Sequence, residues 1–370
     1  MDNIRTKIMF LISHLPKEGP VQVVLDIVKN IDFSYFDVTI VTFKKENENS
    51  IYDHFEKLPV KIVYLNESGR FNLFSCYRKL KAIVSSENIK LVHSHCFSSL
   101  LLNSFVSNVA NIHTIHVYPS IQNIAMKGVF VGGLMNVLTK LLIKHIQVAI
   151  ACSESVRDEF FLKDSLKVDC IQNGVTPLLK TNASKKELKQ FLNLDPNFKY
   201  FISVGRFSAE KNFSFLVDCF RKLKLKGYKL IILGEGKLFN QISNIDDESI
   251  ILPGFKNNVK DYLFSSDYYV SSSLTEGLPL SVLEAMSAGL PILLSDIKPH
   301  EEVFLKAGFK EIGLAFSCAV TNDFSVKLNE LLSKNYISLS ENVLSTFNDN
   351  FSAKKMSDLY QQKYISLIEF

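Results

Sequence analysis

Residues 274–303 constrain the fold more than any other stretch, because they link two strand-like runs through a helix-like segment. The runs read YYVSSS at 268–273 and PILL at 291–294. Between them, Pro279 suits the first position of a helix and Gly289 suits the residue just past its end. The stretch therefore predicts a strand, a turn, a helix and a second strand.

Two glutamates flank the predicted turn and helix. Glu276 falls in the turn at the carboxyl end of the first strand, and Glu284 falls about one and a half turns into the helix. The backbone N–H groups of Gly277, Leu278 and Leu280 lie between them, and unpaired amides at a helix N-terminus favour an anion, most often a phosphate. The two carboxylates can accept hydrogen bonds from hydroxyls on either side. A phosphate flanked by hydroxyl-rich groups describes a nucleotide sugar.

The two glutamates are separated by seven residues in the segment EGLPLSVLEAMSAGLPI. This segment resembles the signature of the retaining glycosyltransferases of family 4, which have the GT-B fold. The resemblance implies an α/β protein with two facing Rossmann-like, doubly wound domains and a C-terminal helix that crosses back to the first domain. The alternative is an ordinary βαβ unit with solvated glutamates, which would not require the entry Thr-Glu-Gly-Leu-Pro.

The length and the linker-like composition predict the domain organisation. The chain has 370 residues, of which 47% are hydrophobic, and this suffices for two complete cores. We expect an acceptor domain at 1–175, completed by a returning helix at 351–370, and a nucleotide-sugar domain at 176–350. The polar, lysine-rich segment 177–199 has a short helical pattern and is interpreted as the interdomain linker, so that the second domain begins near Lys199.

Charge and cysteine content exclude several classes of function. A net charge of +4 is too small to indicate nucleic acid as a partner. The six cysteines are scattered, without a C-x-x-C pair, which predicts reduced thiols and no metal site. Residues 1–5 lead directly into the strand-like run 7–12, and no segment has the length of a signal peptide or a membrane span. We therefore expect a cytoplasmic protein.

The first half contributes two candidate residues. The turn after the first strand usually carries two adjacent glycines in family 4 near the donor diphosphate; here Glu18 replaces the first, and Gly19 remains. His116 ends the strand-like run 110–116, and a residue at the carboxyl end of a parallel strand points to where such sheets bind ligands. The resemblance places His116 beside the donor sugar and the acceptor. The alternative is an ordinary polar residue near a strand end.

The second half contributes the cations. Residues 205–212, GRFSAEKN, follow a strand-like run and resemble the family's Gly-Arg and Lys-Asn motif. Arg206 and Lys211 can reach both phosphates of a diphosphate. The alternative interpretation is that they are a pair of solvated charges without a ligand. The resemblance implies that they neutralise the leaving diphosphate, so that no metal or other cofactor is expected. A lone G-x-G at 234–236 does not indicate a nicotinamide cofactor. The resemblance adds Gly205, Gly234, Gly254 and Phe255 as donor-binding positions.

Residues 121–150 form a long apolar, lightly basic segment with apolar side chains at helical spacing. Core packing explains such a pattern. A helix lying at a lipid interface is the alternative, and the basic, aromatic stretch 70–81 has a composition that suits it. Peripheral contact with the cytoplasmic face of the inner membrane therefore remains an expectation.

The resemblance implies a retaining glycosyltransferase that moves a sugar from a nucleotide sugar, UDP-linked rather than GDP-linked, to a glycan or polyprenyl-diphosphate-linked acceptor. In such an enzyme Glu276 and the Gly277 and Leu278 amides hold the transferred sugar, and Glu284 holds the ribose. Synthesis of an O-antigen, a capsule or another surface polysaccharide is the expected context. The alternatives are a GT-B nucleotide-sugar epimerase and a noncatalytic nucleotide-sugar binding protein.

Overall fold

The computed structural model describes residues 5–46, 50–66, 72–119, 121–245, 247–320 and 322–369, without the side chains of 121, 122 and 124–127. Residues 1–4 and 70–71, which enter two of the sequence-based expectations, lie outside these ranges. The chain divides into two compact units. The first contains Met1–Gly174 and Ala353–Phe370, and the second contains Val175–Ser352. The predicted first domain ends at residue 175, one residue after Gly174. The predicted returning segment begins at residue 351, two residues before Ala353.

The first unit is a seven-stranded sheet in the order β3-β2-β1-β4-β5-β6-β7, in which neighbouring strands pair in parallel. Its central strands are mostly buried on both faces because helices cover both sides of such a sheet. The strands are β1 (Thr6–Leu11), β2 (Phe36–Lys44), β3 (Val60–Asn66), β4 (Leu91–His95), β5 (Ala110–Ile115), β6 (Val148–Ala151) and β7 (Asp169–Cys170). The helices are α1 (Gly19–Lys29), α2 (Tyr52–Glu56), α3 (Leu73–Ser86), α4 (Phe97–Asn103), α5 (Ile121–Ile143) and α6 (Glu154–Asp164).

The second unit is a six-stranded parallel sheet in the order β10-β9-β8-β11-β12-β13. The order reverses beside β8, where the next strand in the sheet is β11, so this is the switch point of a doubly wound fold. The strands are β8 (Lys199–Val204), β9 (Tyr228–Leu233), β10 (Ile250–Gly254), β11 (Tyr268–Ser271), β12 (Ile292–Ser295) and β13 (Gly313–Phe316). The helices are α7 (Lys185–Phe191), α8 (Phe213–Leu223), α9 (Phe239–Ser243), α10 (Val259–Ser265), α11 (Leu280–Ser287), α12 (Lys298–Ala307), α13 (Asp323–Ser333) and α14 (Tyr336–Asn350).

The last helix, α15 (Ala353–Ile368), belongs to the first unit, as the resemblance implied. It packs on α1, where the Ser357 hydroxyl donates to the Ile27 carbonyl at 2.8 Å and the Gln361 side-chain oxygen accepts from the Asp32 amide at 2.8 Å. The helix therefore completes the surface of a domain whose other elements precede it by about half the chain.

The interpretation of 177–199 as a linker is wrong. This segment contains α7, which begins with a reciprocal capping box between Ser184 and Glu187 and packs on α10 within the second unit. Lys185 contacts Asp267 at 3.0 Å, and the Lys189 ammonium donates to a backbone carbonyl at 2.7 Å. The lysines that made the segment look solvated satisfy acceptors of the domain instead.

Helix α5 differs from the sequence-based expectation of simple core packing. Gly128 interrupts the helix with φ +80°. The helix ends at Ile143, so Ile146 of the segment 121–150 lies three residues beyond it. Many of its large apolar side chains are exposed, and Phe130 is 93% exposed. The apolar face of α5 consists of Phe130, Leu134, Val137 and Leu141, and the exposed Val129 and Val131 lie on either side of it.

Candidate active site

A largely buried ion pair joins two of the predicted site residues in the second unit. The Lys211 ammonium lies 2.5 Å from Glu276 Oε1, and the two side chains are 19% and 13% exposed. Lys211 closes a single 3-10 turn after β8, and Glu276 lies in the loop after β11. Because β8 and β11 are neighbours at the switch point, the sheet topology brings together residues that are 65 positions apart.

Serine hydroxyls hold both ends of this ion pair. Ser273 Oγ donates to Glu276 Oε1 at 2.7 Å. Ser272 Oγ lies within hydrogen-bonding distance of the carbonyls of Lys211, at 3.0 Å, and Asn212, at 2.9 Å. Both hydrogen bonds that reach the carboxylate from the described residues end on Oε1. The other oxygen, Oε2, is therefore the one positioned to accept from a ligand.

The environment keeps Glu276 ionised. Burial raises the pKa of this carboxyl, but the charge of Lys211 and the hydrogen bonds from Lys211 and Ser273 together outweigh burial, and the pKa lies below its ordinary value. An ionised carboxylate can only accept hydrogen bonds. A carboxylate that accepts hydrogen bonds from hydroxyls, placed beside an ammonium group, suits a ligand that carries both hydroxyls and phosphate.

Two turns at the same edge of the sheet touch through their backbones. Gly234 has φ +137°, and a Cβ atom there would lie 1.9 Å from the Gly205 carbonyl oxygen. A Cβ atom on Gly205 would lie 3.1 Å from Cε of Lys211, so the absence of a side chain lets Lys211 cross this turn. The Phe207 amide also donates to the Glu235 carbonyl at 2.9 Å. Glycine is thus required at 234 by backbone contact as well as by conformation.

The other predicted donor-binding residues lie on the loops around these turns. Arg206 is exposed in the turn after β8. Glu284 is half-buried on α11, which begins at Leu280, one residue later than predicted because Pro279 is its N-cap. Gly277 and Leu278 are buried in the loop before α11. The Gly254 carbonyl accepts a hydrogen bond from the Gly234 amide at 3.0 Å. Phe255, after β10, is 48% exposed.

Sequence reasoning missed His300, which is fully buried near the ion pair. Its Nδ1 lies 2.9 Å from the Ser295 carbonyl, and Ser295 Oγ donates to the Ser273 carbonyl at 2.6 Å. His300 thus connects through Ser295 to Ser273, the residue that holds Glu276. A histidine on the first turn of α12, just after a strand end, was the available signal.

The first unit holds the other two candidates. His116 follows β5 directly, and its Nε2 lies 2.9 Å from His95 Nδ1 at the end of β4. Burial lowers the pKa of His116 to about 4, so the ring is neutral at pH 7. The neighbouring His93 contacts Tyr364 Oη of α15 at 2.7 Å. Gly19 is exposed at the start of α1.

Neither metal ligation nor membrane crossing is evident in the described ranges. No group of three or more histidine, cysteine, aspartate or glutamate side chains there could hold a metal ion. No helix in them combines the length and the apolar composition needed to cross a lipid bilayer.

Comparison with known families covers most of the chain. Residues 18–177 match the model described as Glycosyltransferase Family 4, and residues 184–345 match the model described as Glycosyl transferases group 1. The Lys211–Glu276 pair and the whole segment 276–284 fall within the second match.

Curated relatives and solved structures agree with these matches. The Escherichia coli UDP-Gal:alpha-D-GlcNAc-diphosphoundecaprenol alpha-1,3-galactosyltransferase is 25% identical over 339 residues, which are 80% of this chain and 79% of the relative. The capsular polysaccharide biosynthesis glycosyltransferase CapH of Staphylococcus aureus is 26% identical over 96% of this chain and 99% of its own length. Anabaena HepE, solved with UDP and glucose, superimposes with a TM-score of 0.80 at 15% identity and covers 98% of this chain and 100% of its own.

The structural likeness to HepE extends over both units and confirms the predicted α/β fold class with its two Rossmann-like domains. The two family matches cover each unit in turn, and they confirm the resemblance to the family 4 enzymes. The chain is therefore a glycosyltransferase with the GT-B fold, belonging to the glycosyl transferases group 1.

Proposed function

We propose that this glycosyltransferase moves a sugar, with retention of its anomeric configuration, from a UDP-sugar to a lipid-linked glycan during synthesis of a surface polysaccharide. The observation that carries the proposal is the buried Lys211–Glu276 pair at the switch point of the second sheet. The Escherichia coli relative is named for UDP-Gal and a GlcNAc-diphosphoundecaprenol acceptor, and CapH is named for capsular polysaccharide biosynthesis. Both names support this choice of donor and acceptor.

Different residues of the second unit bind different parts of the donor. Arg206 and Lys211 bind the diphosphate and stabilise the charge that develops as it leaves, so that no divalent cation is required. Glu276 is ionised and accepts hydrogen bonds from hydroxyls of the transferred sugar. Glu284, half-buried on α11, accepts from the ribose. His116 of the first unit, neutral at pH 7, can form a hydrogen bond with the acceptor hydroxyl.

Retention follows from displacement on one face of the sugar. The acceptor oxygen bonds to the anomeric carbon on the face from which the diphosphate departs, and the bond between that carbon and the phosphate oxygen breaks. The proton of the acceptor hydroxyl passes to the departing phosphate oxygen. This route requires no carboxylate nucleophile, and it assigns to Lys211 the stabilisation of the leaving group.

The test is nucleotide release from a panel of UDP-, GDP-, dTDP- and ADP-sugars, each with an excess of EDTA, with and without an undecaprenyl-diphosphate-linked sugar acceptor. We expect UDP to be released from one UDP-sugar, faster with the acceptor and undiminished by EDTA. Isomerisation of the donor without release would indicate an epimerase instead. Binding of UDP without turnover across acceptors would indicate a noncatalytic protein.

We further propose that the apolar face of α5 rests on the membrane that carries the acceptor. Four large apolar side chains at helical spacing, Phe130, Leu134, Val137 and Leu141, share one exposed helix face, and Lys144 and His145 follow directly after the helix. Monomeric proteins seldom expose a contiguous apolar patch of this kind without a partner. A helix with exposed apolar residues and adjacent basic residues suits an anionic lipid interface.

Replacing Phe130 with aspartate should weaken binding to vesicles of phosphatidylglycerol and phosphatidylethanolamine by about tenfold or more, because the side chain is 93% exposed and its burial in lipid contributes about 2 kcal/mol. Cosedimentation with vesicles measures this change. Phe309, which is fully exposed in the second unit, provides the matched control. Equal losses in Phe130→Asp and Phe309→Asp would contradict a role specific to α5.

A further inference from the structure

The hydrogen bonds of His300 determine which of its ring nitrogens carries the proton. Nδ1 lies 2.9 Å from the Ser295 carbonyl, which can only accept, so Nδ1 carries the hydrogen. Burial lowers the pKa of His300 to about 4, and the ring is therefore neutral. In a neutral ring protonated at Nδ1, Nε2 has a bare lone pair. His300 thus presents a hydrogen-bond acceptor at Nε2.

This acceptor has no partner among the described residues, although it is fully buried. A buried polar atom without a hydrogen bond is an exception in folded proteins and calls for an explanation. The surroundings of His300 are polar, because the charges of both Glu276 and Lys211 act on its ring. The His300 ring therefore lies within electrostatic range of the Lys211–Glu276 pair.

We propose that His300 Nε2 accepts a hydrogen bond from a hydroxyl of the transferred sugar, next to the hydroxyl held by Glu276, and so helps select the sugar. This inference rests on the proposed function. Lys211 is bonded to Glu276 in this structure, and a diphosphate would draw its ammonium away. Lys211 bonds to Oε1 and not to Oε2, so Glu276 Oε2 and His300 Nε2 are the two acceptors available to hydroxyls of one sugar, before and after that movement.

The chain of hydrogen bonds behind His300 supports a defined position for this acceptor. Nδ1–H binds the Ser295 carbonyl, Ser295 Oγ binds the Ser273 carbonyl, and Ser273 Oγ binds Glu276. One network therefore orients both acceptors. Two acceptors held in a constant relation can discriminate sugars that differ in a single hydroxyl, because the wrong sugar leaves one of them buried and unpaired.

Two substitutions separate the two nitrogens. In His300→Asn the amide nitrogen can keep the hydrogen bond to Ser295 but nothing replaces Nε2. In His300→Gln the longer side chain can return an oxygen acceptor to the position of Nε2. With the UDP-sugar that the wild type turns over fastest, we expect kcat/KM to fall about tenfold or more in His300→Asn and to stay within about threefold in His300→Gln. Affinity for UDP alone, measured by calorimetry, should stay within about twofold in both.

Deoxy donors identify the hydroxyl. Among analogues of the same UDP-sugar lacking the hydroxyl at C3, C4 or C6, one should be turned over by wild type and His300→Asn at the same rate, since the contact is absent from both. Turnover of the parent donor by the wild type reports on the proposed function, and the comparison between variants reports on His300. Wild-type kinetics in His300→Asn would overturn the inference. The inference would also be overturned if His300→Asn lost the same factor in kcat/KM on every deoxy donor and lost UDP affinity in parallel. Should His300→Asn not fold, the inference would be overturned by a wild type whose turnover is unaffected by removal of each hydroxyl.

Discussion

Replacing Lys211 with methionine lowers the rate of sugar transfer by about 10²–10³-fold, while the protein keeps its fold. Methionine retains the volume of the side chain but removes the charge that stabilises the leaving diphosphate, and electrostatic groups of this kind contribute on that scale. Steady-state kinetics with a saturating acceptor measure the change, and the loss should appear in kcat. Lys327→Met is the matched control, because Lys327 forms an exposed ion pair with Glu330 on α13.

The same substitution changes the pH dependence. The pKa of Glu276 lies below its ordinary value because Lys211 and the hydrogen bonds outweigh burial. A depressed carboxyl pKa means that the ionised form persists in the folded protein as the pH falls, until the pH reaches that lowered pKa. Without Lys211, burial dominates and the pKa rises. The acid limb of the residual activity in Lys211→Met should therefore move to higher pH, and an unmoved limb would contradict the assignment of Glu276.

Replacing Gly234 with alanine destabilises the second unit by about 3 kcal/mol or more and abolishes donor binding. The added Cβ atom would lie 1.9 Å from the Gly205 carbonyl oxygen, and that atom belongs to backbone that also positions Lys211. The residue has φ +137°, which side chains other than hydrogen disfavour. Differential scanning calorimetry and UDP titration measure the two losses.

Gly227→Ala provides the control for this variant. Gly227 has φ +79°, but a Cβ atom there meets nothing within 4 Å. Its substitution therefore reports the conformational cost alone, about 1–2 kcal/mol, and leaves UDP affinity unchanged. If the two alanine variants lose equal stability and both still bind UDP, the contact between the two turns does not govern the site.

Local patterns in the chain predicted the elements of the candidate site. The apolar run before Glu276, the helix between Pro279 and Gly289 and the turn after β8 are all specified by residues close in sequence. The arrangement of Lys211 with Glu276 depends on the adjacency of β8 and β11, which short-range periodicity does not encode; the resemblance supplied it. His300 was missed for the same reason, since its link to Glu276 passes through the ends of β11 and β12.

Composition misled in two places. The lysines of 177–199 suggested a solvated linker, but Lys189 is only 6% exposed and its ammonium reaches a backbone carbonyl. Long side chains can bury their methylene groups while their ends remain satisfied. The periodicity of α5 was compatible with a core helix and with a surface helix, because apolar spacing does not state what covers the face. Because Phe130 is 93% exposed, α5 is a surface helix at this position.

The return of α15 to the first unit has a consequence for synthesis on the ribosome. Tyr364 of α15 contacts His93, and Tyr360 contacts Thr114 at 2.8 Å, so His93 and Thr114, which also bond each other, complete their hydrogen bonds only with α15. The entire second unit, Val175–Ser352, is translated in between. At about 5–20 residues per second this takes roughly ten to forty seconds. During that time the first domain lacks α15, so the face of α1 that packs on this helix stays uncovered until the second unit has been synthesised.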